Sequence, residues 1–316
     1  MNIIKSNTFD QYEIDKNVIA IGSFDGIHKG HKKILNKTLE IADKKGIKSG
    51  ILTFEPHPQE VIGDENSHYY LSTRSQKIMT LKEMHFDYYF EMNFSKDLAL
   101  TPFDEFFKKI IVKNLNTKHI VVGTDFKLGH KGDGNISKLK RLGKEYGIEI
   151  TAVKPLKIGN HKISSSIIRD LVKAGKLKEV KKHLDNNFIL EGEVVKGFGR
   201  GRKLGIPTAN IKPDTAYVLP PDGVYAVYVY LGHKKYKGVA NFGHKPTFDD
   251  DNFTIEVHIP DFEADIYGEF VRLELIEFLR GEKEFKDVDD LVATIKDDIL
   301  YIKELLWYNF SVRHLP

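Results

Sequence analysis

The chain has 316 residues and a formal net charge of +3, from 48 Lys and Arg against 45 Asp and Glu. Such a length exceeds what one hydrophobic core usually serves, so two domains are expected. The near balance of charge points to neither a nucleic-acid nor a membrane partner, and a cysteine count of zero excludes a disulfide framework, a thiolate zinc site and a cysteine nucleophile.

No apolar leader opens the sequence and no stretch reaches the roughly 18 apolar residues of a membrane span, so a cytoplasmic protein with no obligate protein partner is expected. Short β-rich runs at Val18–Ile21, Gly50–Phe54, Asp87–Met92, His119–Gly123 and Glu149–Val153 alternate with helix-like segments. That alternation predicts a parallel sheet. Lys29–Lys44 and Pro102–Leu115 space their apolar residues as helices do, with Leu35, Leu39 and Ala42 in the first and Phe103, Phe107 and Ile111 in the second. Two short helices are expected at Ser165–Ala174 and Leu177–Leu184, and the polar stretch Asp185–Asn187 marks the border between domains 1–184 and 185–316. Beyond it, alternating runs at Phe188–Val195, Gly223–Leu231, Tyr236–Phe242, Thr254–Ile259 and Phe270–Phe278 predict a small antiparallel β domain. A last helix, Val288–Trp307, carries Leu291, Ile295, Ile299, Ile302, Leu305 and Leu306 on one face. The expected class is therefore α/β followed by β.

Two segments carry chemistry. The first strand runs into Gly22-Ser23-Phe24-Asp25-Gly26-Ile27-His28-Lys29-Gly30-His31, and a helix starts there. Free N–H groups and the positive end of the helix dipole make that position an anion site, and the glycines let backbone approach a phosphate. His28 and His31, three apart, share a helix face and can donate to charge building on a transferring phosphoryl group. Taken alone, the pair is equally two satisfied polar residues in a turn. The second segment, Gly192–Arg202, leaves a strand for a glycine-rich basic loop containing Gly197, Gly201 and Arg202. It lacks the Walker pattern, and by itself such a loop is usually a solvated turn.

The first segment resembles the H-x-G-H nucleotidyltransferase superfamily and, within it, the bacterial bifunctional riboflavin kinase and FMN adenylyltransferase family, also called FAD synthetase. Thr53-Phe54-Glu55-Pro56-His57-Pro58, Val122-Gly123-Thr124-Asp125-Phe126 and Ile163-Ser164-Ser165-Ser166-Ile167-Ile168-Arg169 are similar to further motifs of its first half, with Ser166 where the family usually has Thr. Gly201-Arg202-Lys203-Leu204-Gly205-Ile206-Pro207-Thr208-Ala209-Asn210-Ile211 is similar to the riboflavin kinase motif GRxLGxPTANI, and Pro221–Tyr225, Gly238–Thr247, Glu256–His258 and Leu279–Glu282 follow in family order.

The resemblance implies a Rossmann-like nucleotidyltransferase domain followed by a Greek-key β-barrel kinase domain with a C-terminal helix. It implies phosphorylation of riboflavin to FMN and adenylyl transfer from ATP to FMN, giving FAD and pyrophosphate, with Mg²⁺ as cofactor. A monofunctional riboflavin kinase with a degenerate first half is the alternative. The implied catalytic residues are His28, His31, Arg169 and Glu256, the last as general base. ATP or its phosphates would meet Gly22, Ser23, Phe24, Asp25, Gly30, Ser164 and Ser165 in the first half, and Gly197, Gly201, Arg202, Gly205, Pro207, Thr208 and Asn210 in the second. Flavin would meet His57, Asp125, Phe126, Glu256 and Arg280, and Mg²⁺ would meet Thr208 and Asn210.

Overall fold

The computed structural model describes residues 1–63, 69–197, 201, 204–247 and 250–311, with side chains throughout except at 244–252 and 306–311. The chain divides into two compact units. Met1–Tyr69 with Arg74–Ser165 forms the first, and Tyr70–Thr73 with Ser166–Pro316 the second.

The first unit contains, in chain order, β1 (Asn2–Ser6), β2 (Asn17–Ile21), α1 (Lys29–Lys45), β3 (Lys48–Glu55), α2 (Pro58–Ile62), α3 (Arg74–Glu83), β4 (Tyr88–Asn93), α4 (Lys96–Leu100) and α5 (Phe103–Phe106), which continues as a π-helix over Phe107–Asn114. Then come β5 (Thr117–Gly123), β6 (Lys127–Leu128), β7 (Gly134–Asn135), α6 (Ile136–Tyr146), β8 (Glu149–Val153), β9 (Lys157–Ile158) and β10 (His161–Lys162). Six strands form one sheet in the order β1-β4-β3-β2-β5-β8, every pairing parallel. All five residues of β2 are buried, as expected of a strand covered on both faces. Helix α1 buries Leu35, Thr38, Ile41 and Ala42 and stops at Gly46, whose left-handed backbone (φ 63°) turns its N–H back to the Ala42 and Asp43 carbonyls. β1 was not foreseen. It is an edge strand of mixed exposure, and its place is set by parallel pairing with β4, 80-odd residues away.

From β2 the chain fills one side of the sheet with β3 and β4, then crosses back to lay β5 and β8 on the other side of β2. The order therefore reverses between β2 and β5, and loops leaving their carboxyl ends diverge. In open α/β sheets this crevice is where ligands bind.

The second unit continues with α7 (Ser165–Lys173, which begins on the last residue of the first), α8 (Leu177–Leu184), β11 (Phe188–Val195), β12 (Ala209–Pro213), β13 (Gly223–Leu231), β14 (Lys234–Thr247), β15 (Asp250–His258), β16 (Phe270–Arg280) and α9 (Val288–Ser311). The six strands close a barrel in the order β11-β12-β15-β14-β13-β16, all antiparallel. β13, β14 and β15 form a meander and β16 returns beside β13, the Greek-key arrangement the resemblance implied. Ile302 of α9 is fully buried against Val224, Ala226, Tyr228 and Val239, with Ile299 and Leu305 beside it, so the apolar stripe of the last helix covers the barrel. β12 lies within the motif stretch and was not read as a strand.

The contacts divide the chain elsewhere than at the 184/185 border read from the polar stretch. Ile168, Val172, Leu177, Val180 and Leu184 of α7 and α8 share one buried cluster with Val194, Ile211, Val227 and Ala240 of the barrel. A short strap from the first half of the sequence joins them. Tyr70 donates its N–H to the Ala216 carbonyl (2.8 Å) and accepts from the Val218 N–H (2.9 Å), Leu71 is 3% exposed in the same cluster, and the Thr73 hydroxyl donates to Glu191 (2.9 Å). Leu71→Ala is accordingly expected to destabilise the barrel unit, although position 71 lies far from it in sequence, by ~2–5 kcal/mol from the lost burial and the cavity left behind. Chemical denaturation followed through barrel-unit signals checks this, and an unchanged transition would show that the strap adds nothing.

Candidate active sites

The first site is built on the exit of β2. Gly22 continues the strand by donating its N–H to the Leu52 carbonyl (3.1 Å), and the chain then turns sharply. Phe24 (φ 51°), Gly26 (φ 76°) and Ile27 (φ 33°) all lie at positive φ. For a β-branched residue such as Ile27 this conformation is costly, roughly 1–3 kcal/mol, and persists only where packing imposes it. Here burial does so, with Phe24 1% and Ile27 4% exposed in one cluster with Leu35, Ile78 and Leu81.

The turn delivers His28 to the N-cap of α1. Its Nδ1 accepts the His31 N–H at 3.1 Å, which commits Nδ1 as an acceptor and leaves the ring proton of the neutral imidazole on Nε2. The two imidazoles stack with centroids 3.6 Å apart and 12° between planes, and the Phe24 ring meets His31 edge-on at 5.3 Å. Burial, then the neighbouring His28, then Lys77 and Lys162, hold the His31 imidazole well below its ordinary pKa. His31 is thus held neutral, and the close stacking disfavours two positive charges on the pair. At Gly30 a Cβ would sit 3.0 Å from the His28 ring, a tight contact to which the stacked ring would have to yield.

Other predicted residues gather round this turn. The Ser165 hydroxyl donates to the Asp25 carbonyl (3.1 Å), tying the start of α7 to the turn, and Thr53 does the same to the Ser23 carbonyl (3.3 Å). Asp25 is buried. Asp125, just past β5 on the other side of the switch point, forms an ion pair with Lys162, two residues before Ser164. Partial burial raises the Asp125 carboxyl, but the Lys162 ammonium outweighs it and holds the group below the usual carboxylate range. Lys162 was missed by sequence reasoning. Its signal was its place directly before Ile163-Ser164-Ser165, and its field reaches His31.

Not every predicted residue joins the turn. His57 caps α2, its Nδ1 accepting the Gln59 N–H (3.2 Å). Phe126 packs edge-on against Phe103 at the border of the first core. Arg169 lies on α7 among the residues of the second unit.

The second site is built on barrel register. β12 pairs with β15, and β15 with β14, so that Asn210, Glu256 and Asn241 stand side by side on three adjacent strands. Ile255 and Val257 point into the core and are buried, so Glu256 faces out of it. The Thr208 hydroxyl donates to Glu256 Oε2 at 3.3 Å. Gly197 lies so close to Asn210 that a Cβ would fall 2.0 Å from its amide nitrogen, and one on Gly201 would fall 2.3 Å from the Ile206 carbonyl. The glycines therefore let the backbone at 197 and 201 lie close to the Thr208–Asn210 edge. Arg202, with 198–200 and 203, lies outside the described residues.

Gly205 turns at φ 71°, and the Pro207 carbonyl accepts from His258 Nδ1 at 2.8 Å. Beside Thr208 opens a cavity of about 340 Å³ walled by Val194, Pro207, Val257, Phe262, Ile266 and Tyr267. Arg280, expected at the flavin, has its guanidinium on Asp298 of α9, at 2.8 Å from Nη2 and 3.1 Å from Nε, so its charge is spent on holding that helix. Asn241 is a further polar group of this edge that the sequence reading passed over.

A family model for FAD synthetase matches residues 10–167 and one for riboflavin kinase matches residues 184–306. A bifunctional riboflavin kinase/FMN adenylyltransferase of Listeria monocytogenes is 33% identical over 297 residues, covering 92% of this chain and 93% of its own. One of Escherichia coli K12 is 34% identical over 288 residues, covering 91% and 92%. A solved structure described as a macrolide-efflux protein from Streptococcus pneumoniae matches with a TM-score of 0.86 at 31% identity, covering 95% of this chain and 98% of that one. Its likeness bears on the fold, and the efflux description remains that protein's own. With both halves matched and relatives aligned over nine-tenths of its length, this chain belongs to the family of bifunctional riboflavin kinases/FMN adenylyltransferases.

Proposed function

We infer that the chain makes FAD from riboflavin in two ATP-dependent steps, phosphorylation to FMN in the barrel and adenylyl transfer to FMN in the α/β half. The observation that carries this reading is that both matched halves occur in one chain, each with its glycine turn leaving a strand end. The alternative, a kinase with a degenerate first half, is not favoured, since the His28/His31 pair and its capped helix are intact. On this reading the catalytic division falls near residue 184, although α7 and α8 pack with the barrel.

In the first half, the phosphate of FMN attacks the α-phosphorus of ATP and pyrophosphate leaves. His28 and His31 act as N–H donors to the charge developing on the transferring group, and the N-terminus of α1 and Lys162 supply positive field. Gly22, Ser23, Phe24, Asp25 and Gly30 shape the turn against the triphosphate, with Ser164 and Ser165 at its edge. Arg169 is assigned a phosphate-binding fork on resemblance and guanidinium geometry. His57, Asp125 and Phe126 are assigned to the flavin on the same ground.

In the second half, Glu256 accepts the proton of the ribityl hydroxyl as that oxygen attacks the γ-phosphorus of ATP, the bond to the β-phosphate oxygen breaks and ADP leaves. Thr208 and Asn210 offer a hydroxyl and an amide oxygen beside that carboxylate, a hard-oxygen set that suits Mg²⁺. The metal would neutralise phosphate charge. The loop holding Gly197, Gly201, Arg202 and Gly205 would cover the phosphates, and the cavity beside Thr208, with Pro207 in its wall, has the size and apolar walls for an aromatic ring system. A cytoplasmic location follows from the need for ATP.

Incubation with riboflavin, ATP and Mg²⁺ is expected to yield FMN and FAD, and incubation with FMN, ATP and Mg²⁺ to yield FAD. Product chromatography that finds neither, with flavin still bound, would overturn the reading. His31→Ala should lower FAD formation from FMN by about 10²-fold or more while FMN still forms from riboflavin. Glu256→Gln should do the converse, cutting riboflavin phosphorylation by about 10²–10⁴-fold with FMN adenylylation retained. Chelation of Mg²⁺ is expected to stop both reactions, and turnover persisting in excess chelator would remove the metal from the account.

A further inference from the structure

We propose that Lys77 is a positioning residue for adenylyl transfer: its buried side chain on α3, set among the carboxylates of Asp25, Glu55 and Glu91, locks the turn that carries His28 and His31. The proposal rests on the adenylyl-transfer reading above. Lys77 is only 4% exposed, and a lysine is almost never so buried unless opposite charge surrounds it.

Three elements supply that charge. Asp25 comes from the turn after β2, Glu55 from the end of β3 and Glu91 from β4, and all three act on the Lys77 ammonium. Glu91, itself fully buried, is also served by the Arg74 guanidinium three residues before Lys77 and by Lys5 of β1 at 3.5 Å. Packing joins the same parts. α3 lies against the turn at Asp25–Ile27, and Ile78, the next residue after Lys77, shares a buried cluster with Phe24 and Ile27, the non-glycine residues of this turn held at positive φ. The helix thus presses an apolar wedge onto the strained turn, and the buried Lys77 beside Ile78 sets a cation within the field of Asp25.

Protonation behaviour fits this arrangement. Burial pulls the Lys77 ammonium below its ordinary pKa, while Glu55, Asp25 and Glu91 oppose that and Arg74 adds to it. Burial lifts the Glu55 carboxyl and Lys77 works against the lift. The positive charge of Lys77 also reaches His31, alongside His28 and Lys162, and makes that imidazole harder to protonate. Removing the charge should therefore raise the pH at which His31 takes up a proton and loses its neutral state.

The test compares Lys77→Met and Lys77→Arg in the full chain, with riboflavin phosphorylation as the internal control. Lys77→Met should lower kcat for FAD formation from FMN by about tenfold or more, with KM for ATP changed by less than about threefold, and should move the acid limb of the pH profile upward. Phosphorylation of riboflavin should stay within about twofold, and Lys77→Arg should recover kcat to within about threefold of the original chain. If Lys77→Met unfolds the first unit, Lys77→Gln takes its place in the same comparison. A neutral variant that keeps its kcat and pH profile, or a folded Lys77→Arg that recovers nothing, would overturn the proposal. An unsubstituted chain that makes no FAD would remove the adenylyl-transfer reading itself, and a substituted chain that makes it normally would remove Lys77 alone.

Discussion

A chain of phosphates can be held by backbone amides only where no side chain stands between them and the ligand. Both units meet that constraint in the same way, by placing a glycine-bearing turn directly at the end of a strand. In the first, β2 ends in a turn that then starts α1, so amide N–H groups and the helix dipole converge on one point. In the second, β11 ends beside Gly197, whose backbone lies so close to the Asn210 amide that any larger residue would displace that side chain. The two folds are unrelated, and what they share is the requirement imposed by the oxyanion.

Holding such turns in place costs conformational strain, and the two units offset it differently. The first uses burial, with Phe24 and Ile27 at positive φ sealed under α3 and α1 and charge supplied by Lys77 from the adjoining helix. Polar groups sealed this way stabilise the fold only if fully matched, which gives the Asp25–Glu55–Glu91 set its need for Lys77, Arg74 and Lys5. The second relies on register. Asn210, Glu256 and Asn241 are aligned because three neighbouring strands hydrogen-bond in fixed steps, and a slip of one residue would turn all of them inward.

The histidine pair shows how geometry selects a protonation state. Stacking at 3.6 Å makes two positive charges unfavourable, and the cap to the His31 N–H occupies one nitrogen of His28. What results is a neutral His31 imidazole within the positive field of Lys77 and Lys162. On the adenylyl-transfer reading proposed above, that combination would stabilise charge as it develops without binding the ground state too tightly.

Much of this was written locally. The alternation of strands, the helix that begins at His28, the glycines of both turns, the two short helices and the last amphipathic helix all follow from residues within a few positions of one another, and each reappears in the structure within a few residues. The histidine pair was visible because a spacing of three on a helix guarantees a shared face. Lys77 was not, because a lysine in Arg74-Ser75-Gln76-Lys77 reads as solvated until Asp25, Glu55 and Glu91 arrive from a turn and two strands distant in sequence. Arg280 was read as a ligand contact because its partner, Asp298, lies on a helix whose docking no local pattern specifies. Nor could sequence place Tyr70–Thr73 in the barrel unit, since hydrogen bonds to Ala216 and Val218 span some 146 positions. By itself the sequence determined which segments are strands, helices and glycine turns, because those depend on short-range periodicity and backbone freedom. Only the tertiary structure decided strand order, the matching of buried charge and the packing of α7 and α8 with the barrel, because each is set by groups that meet only once the chain has folded.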